Sequence, residues 1–316
     1  MTVTSVTHHS DPLRRGPANE VAELDATPSR WTAIKQILAC VDGTDKDQSV
    51  LNHALQVAQH FGSHIDVLHV RFDVHGASTD RRHTPLVDRF LDIPVERAVT
   101  EAAMRAHRHF ENWQTQCNLP LSDTGMAMRG SSTLWREILG YENEIIARLG
   151  RLSDLIVIAR PSQLSSSFSL MALETALFDT SRPVLMVPDG VPMNPFHHPI
   201  IAWNGSLEAA RAVGFALPFL TECEGGVDLF AAPEHKHCTE TDELQRYLSW
   251  HGVVAERVLV EDSRPIGMSL LAQASSNEAG LIVMGAYTHG HYRQFLFGGM
   301  TRYVMDHAAT PVLLAH

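Results

Sequence analysis

From about Ile34 onward the apolar positions switch between two rhythms, and the switching predicts an architecture. Ile34-Lys-Gln-Ile-Leu-Ala-Cys-Val41 is a short apolar run closed by Asp42-Gly43-Thr44, and Val50, Ala54, Leu55, Val57 and Ala58 then recur at helical spacing across Ser49 to Phe61. Gly62 stands where a helix ends in a left-handed residue, and the β-branched run Ile65 to Val70 follows it. Strand, turn, helix and strand make one βαβ unit. Beyond an irregular polar stretch from Arg71 to Pro94, the pattern predicts a helix over Val95 to Cys117, a strand around Gly125 to Arg129 and a helix from Thr133 to Leu149. Then come the apolar run Leu155 to Ala159, a helix to about Asp179 and a last strand, Pro183 to Val187. Apolar runs that do not alternate are buried on both faces, as in a parallel sheet covered by helices.

The text then repeats itself. Pro199-Ile-Ile-Ala-Trp-Asn-Gly-Ser206 restates the first strand and its turn, with Asn204 in the place of Asp42. Asp154 to Ala159 returns as Gly280 to Gly285, and Arg182 to Val187 as Thr310 to Ala315. Three matches in one order are a tandem duplication. The first pair is separated by 162 positions and the second by 126, so the first half carries about 36 additional residues, assigned to the stretch after Arg71. Residues 1–30 show neither rhythm and hold Pro12, Pro17 and Pro28, which predicts a tail outside the fold. The expected organisation is a tail at 1–30, a first α/β domain at 31–188 and a second at 189–316, the linker running from Pro188 to Pro199. Each half leaves a short apolar edge strand, and burying one edge on the other pairs the halves as a pseudo-dimer.

Composition narrows the function. With 44% hydrophobic residues in 316 the chain can build cores, and a formal net charge of −11 argues against a phosphate-backbone partner. Lys35, Lys46 and Lys236 are the only lysines, and none follows a glycine turn of P-loop form. Cys40, Cys117, Cys223 and Cys238 have no paired spacing, which fits a reducing compartment, and no apolar run is long enough for a membrane span. A cytoplasmic location is expected. His235-Lys-His-Cys238 is the densest group of metal-ligating types, but it lacks a fourth ligand at recognisable spacing and reads as a solvated loop. No G-x-S-x-G, H-E-x-x-H or paired-carboxylate pattern is present.

One stretch carries candidate chemistry. After the buried run ending at Gly285 comes Ala-Tyr-Thr-His-Gly290-His-Tyr-Arg-Gln-Phe-Leu-Phe-Gly298-Gly299-Met-Thr301, leading into a helix that ends near His307. Glycines at the carboxyl end of a strand and the start of a helix expose backbone N–H groups to an anion. Arg293, His289 and His291 could reach the same anion. The competing reading is packing: Gly285 and Gly290 turn the chain, and Gly298-Gly299 let a helix approach the sheet.

The duplicated unit, the strand ending in V-D-G-[ST], the glycine loop and the P-V-L strand resemble the universal stress protein family in its tandem form, over roughly residues 31 to 316. The resemblance implies two doubly wound domains, each a five-stranded parallel sheet between helices, and a stress-response role. The family's ATP-binding members carry G-x2-G-x9-G-[ST]. Gly285 and Gly298 match its first and third glycines, Thr288 replaces the second, Gly299 replaces the hydroxyl residue, and Gly290 and Thr301 stand nearby as substitutes. Asn204 falls where the family has an adenine-side Asp. The implied site is therefore Asn204, Gly285, Thr288, Gly290, Arg293, Gly298, Gly299 and Thr301, holding ATP or another adenine nucleotide with no metal beyond accompanying Mg. The first half keeps Asp42, but its loop, Ala159-Arg-Pro-Ser-Gln-Leu-Ser-Ser-Ser-Phe168, has no glycine, so the cradle is expected only in the second half. A non-enzymatic module is expected, with slow ATP hydrolysis and nucleotide-free protein association as the alternatives, and with protein partners and homo-oligomers left open.

Overall fold

The computed structural model describes residues 34–74, 93–124, 130–161, 167–231, 238–258, 264–286 and 299–316. The expected tail at 1–30 and the expected strand at 125–129 lie outside these.

The first half runs β1 (Gln36–Val41), α1 (Asp47–Phe61), β2 (His64–Phe72), α2 (Ile93–Cys117), β3 (Ser132–Gly140), α3 (Glu142–Gly150), β4 (Leu155–Ala159), α4 (Ser167–Asp179) and β5 (Val184–Val187). The second half restates it as β6 (Ile200–Trp203), α5 (Leu207–Thr221), β7 (Val227–Ala231), α6 (Cys238–Trp250), β8 (Ala255–Val258), α7 (Ile266–Ser276), β9 (Ile282–Gly285), α8 (Gly299–His307) and β10 (Val312–Ala315). All ten strands form one sheet in the order β3-β2-β1-β4-β5-β10-β9-β6-β7-β8. Within each half every pairing is parallel. The halves meet antiparallel, with Val312 opposite Met186 and Leu314 opposite Val184. That contact is the expected pseudo-dimer, and it removes two apolar edges that would otherwise stand open.

Successive strand residues feed opposite cores. Ile37, Ala39 and Val41 face a layer built from α1, α2, α5 and α6, whereas Leu38 faces a layer of α3, α4, α7 and α8. The first layer crosses the boundary between halves: Phe61 of α1, Phe196 of the linker and Phe219 of α5 lie with ring centroids 5.5 to 6.1 Å apart. Gly62 does close α1, at φ 62°.

The helix expected over Thr133 to Leu149 is wrong in its first half. Residues 132–140 are the edge strand β3, paired in nine-residue register with β2, and helix begins only at Glu142. Leu134 and Ile138 sit four apart and mimic a helical face, but the backbone groups of β2 are satisfied by pairing, and that tertiary demand overrides the local pattern. The surplus length of the first half is also spread more widely than expected. α2 has 25 residues against 13 in α6, and β3 has 9 against 4 in β8.

Candidate site at the carboxyl ends of the strands

In each half the strand order reverses beside the first strand, so a crevice opens between the carboxyl ends of β1 and β4 and again between those of β6 and β9. The two turns that enter these crevices are built alike. Asp42 Oδ1 accepts from the Thr44 amide at 3.0 Å, and Asn204 Oδ1 accepts from the Ser206 amide at 3.1 Å. Gly43 and Gly205 follow at φ 82° and 73°, a left-handed conformation that disfavours any side chain.

Beyond the turns the crevices differ. In the first half the amides of Asp42 and Gly43 donate to the Asp47 carboxylate, at 2.9 and 3.0 Å. That carboxylate is 1% exposed, and His109 of α2 approaches it through Nδ1 at 2.9 Å. Burial pushes the Asp47 carboxyl up to about 6, against the lowering effect of the His109 contact. Arg105 Nε donates to the Gly43 carbonyl at 2.9 Å, and α2 lies so close that a Cβ on Gly43 would stand 2.3 Å from the Ala102 oxygen. Lys46 spans from the start of α1 to β4, its Nζ donating to the Arg160 carbonyl at 2.7 Å. The turn amides of this half are thus held by a fixed internal anion, and a polyphosphate would meet a buried carboxylate there.

In the second half the corresponding positions are Glu208 for Lys46 and Ala209 for Asp47. Neither supplies that bridge or that carboxylate clamp. The Ser206 hydroxyl caps α5 by accepting from the Ala209 amide at 3.1 Å. Register sets Ala202 opposite Met284, which brings Asn204 beside Ala286 at the mouth of the crevice. Asn204 is exposed and Thr301 is buried in the first turn of α8. Gly285 has a packing reason of its own: a Cβ there would lie 2.5 Å from the Ala209 nitrogen and 2.7 Å from the Glu208 carbonyl carbon. For Gly299, a Cβ would meet nothing within 4 Å among the described residues. Thr288, Gly290, Arg293 and Gly298 lie outside the described residues, as do His289, His291 and the histidines of the 235–238 cluster. Among the described residues, no group of three or more His, Cys, Asp or Glu side chains is placed to hold a metal ion, and no helix is long and apolar enough to cross a membrane.

The residues that close the first crevice, Lys46, Asp47, Arg105, His109 and Arg160, are absent from the sequence-based site. Asp47 and His109 are 62 positions apart on different helices, and only the packing of α2 on the β1 turn unites them.

Comparison with known proteins agrees with this geometry. Residues 226–316 match the Universal stress protein family. A universal stress protein from Archaeoglobus fulgidus DSM 4304 aligns with 89% of this chain and 97% of its own length at 16% identity and a TM-score of 0.64. A putative universal stress protein from Pseudomonas aeruginosa UCBPP-PA14 aligns over 90% and 94% at 14% identity and a TM-score of 0.55. A protein of unknown function from Pseudomonas aeruginosa PAO1 aligns over 90% and 93% at 16% identity and a TM-score of 0.52. No curated protein matches the chain in sequence. Residues 226–316 therefore match the universal stress protein family, and the chain as a whole is built as two α/β units in tandem with the fold of those solved proteins.

Proposed function

We propose that this chain is a cytoplasmic stress-response module that binds one adenine nucleotide per chain in the second-half crevice, and that the first-half crevice is closed to nucleotide by its own side chains. The contrast between the two crevices carries the reading. Asp47 and Lys46 occupy the first from within, while Ala209 and Glu208 stand at those places in the second. The family match falls on residues 226–316, the part of the chain that holds the glycine-bearing stretch.

In this reading the backbone N–H groups of Gly290, Gly298 and Gly299 and the start of α8 take the phosphates, with any Mg arriving on the nucleotide. Arg293 and the Thr301 hydroxyl assist there, beside Thr288. Asn204 meets the base edge, donating from Nδ2, while Oδ1 stays committed to Ser206. Gly285 acts by letting β9 approach α5. The domains divide as 31–188 and 189–316. In this reading the chain binds nucleotide rather than turning it over. Acid release from purified protein followed by chromatography tests the reading: about one adenine nucleotide per chain is expected, either carried through purification or after incubation with ATP. A protein that retains none under either condition would contradict it.

A further inference from the structure

The palindromic strand order relates the halves by an approximate twofold axis between β5 and β10, so grooves at the opposite, amino ends of the strands come in pairs. Each forms where one half's strands meet the first helix of the other half. One of the pair is filled by the linker. Ser49 of α1 donates to the Pro188 carbonyl, and the Met193 amide approaches His53 Nε2 at 3.4 Å. The Asn194 carbonyl passes so close over Gly280 that a Cβ there would lie 1.8 Å from it, and Phe196 ends the crossing stacked on His60 at 4.0 Å.

The other groove, about 220 Å³, is lined by Ile34, Asp154, Arg182, Gly214, Phe215 and Pro218 among others. Two of its residues are the counterparts of positions the linker crosses: Phe215 of His53, and Asp154 of Gly280, 126 positions later. Phe215 stands 162 positions after His53, Pro218 the same distance after Gln56, and Phe196 the same distance after Ile34. By the same relation, Met193 and Asn194 correspond to Trp31 and Thr32. Two features suit an incoming extended chain. Pro218 lies inside α5 and has no N–H to give the Gly214 carbonyl, which leaves an acceptor at a position without a side chain. Asp154 Oδ2 accepts from the amides of Lys35 and Gln36 at 2.8 and 2.9 Å, which pins the chain where it leaves the groove for β1.

We propose that this groove is the seat of the chain's own segment 27–33, with the Trp31 ring over Phe215 and Pro218, so that the segment before β1 does for α5 what the linker does for α1. A tryptophan offers a large apolar face and one N–H donor, which matches the Phe215 and Pro218 side chains and a Gly214 carbonyl that lacks its i+4 donor. The inference is independent of nucleotide.

Limited trypsin digestion of the full chain tests it, because Arg15 and Arg30 supply one cleavage site remote from the segment and one within it. A synthetic peptide of residues 10–36 sets the unprotected ratio of the two rates. In the protein, cleavage after Arg30 should be at least about tenfold slower relative to Arg15 than in the peptide. Phe215→Glu should abolish the protection, whereas Phe215→Leu should keep it. Trp31→Ala should also abolish it, without touching α5. Cleavage after Arg30 at the peptide's ratio would overturn the proposal, and would leave the groove for another protein's peptide. Protection that survives both Phe215→Glu and Trp31→Ala would overturn it equally.

Discussion

Arg160 at the exit of β4 donates from its guanidinium to the backbone carbonyl of Asp306 at 2.7 Å, so a residue of the first half caps the last turn of α8 in the second. The same arginine offers its own carbonyl to Lys46. A cation on the final carbonyls of a helix satisfies orphan acceptors and complements the helix dipole. The arrangement ties the closed crevice of one half to the helix that follows the glycine loop of the other.

Arg160→Ala should therefore destabilise the protein by about 1–2 kcal/mol, the range of a charge-assisted hydrogen bond that is only partly sheltered. In a chain of this size that is a fall of several degrees in the thermal midpoint, read by calorimetry. An unchanged midpoint would mean that the contact adds nothing to the joining of the halves.

Two carboxyls near the first crevice set a pH dependence. Burial raises Asp47 from an ordinary 3.8 to about 6, and burial followed by the nearby Asp42 charge raises Glu142 from 4.5 to about 7. A raised carboxyl binds more protons in the native than in the unfolded state. Stability contributed this way is present in full below about pH 4 and is lost as pH rises toward 7. Glu142→Gln should remove the upper part of that loss, making the variant more stable than wild type at pH 8 and nearly equal to it at pH 4.5. Denaturant titrations at the two pH values check this, and an equal offset at both would contradict the assignment.

The two described glycines of the candidate loop should separate by phenotype. Gly285→Ala forces a β-carbon against α5 and should cost about 1–3 kcal/mol of stability, as overpacking does. Gly299→Ser meets nothing within 4 Å among the described residues and restores the hydroxyl of the resembled motif. It should leave the thermal midpoint within about 2 °C while tightening ATP binding by roughly fivefold, the equivalent of about one hydrogen bond. A destabilised Gly299→Ser with unchanged affinity would reverse these roles.

The sequence makes the architecture legible because buried parallel strands are written as unbroken apolar runs. Leu155 to Ala159 coincides with β4, and β10, Val312 to Ala315, falls inside the run Thr310 to Ala315 that announces it. Edge strand β3 is not legible, since it is half-exposed and its Leu134 and Ile138 copy a helical interval. The turns at Asp42 and Asn204 can be read from the repeat, because an Asx turn is local. The closure of the first crevice cannot. It depends on α2 delivering Arg105 and His109 across 62 positions to Gly43 and Asp47, a relationship that has no signature in spacing. Gly285 shows the converse error: a motif position also has a packing cause, visible only once α5 is in place.

The central claim is that nucleotide binds in one crevice and not the other, and calorimetric titration of Mg-ATP tests it most directly. Wild type should bind one equivalent per chain, Gly298→Val should bind none, and Asp42→Ala should match wild type. Two equivalents in wild type, or equal loss of binding in Gly298→Val and Asp42→Ala, would contradict the account.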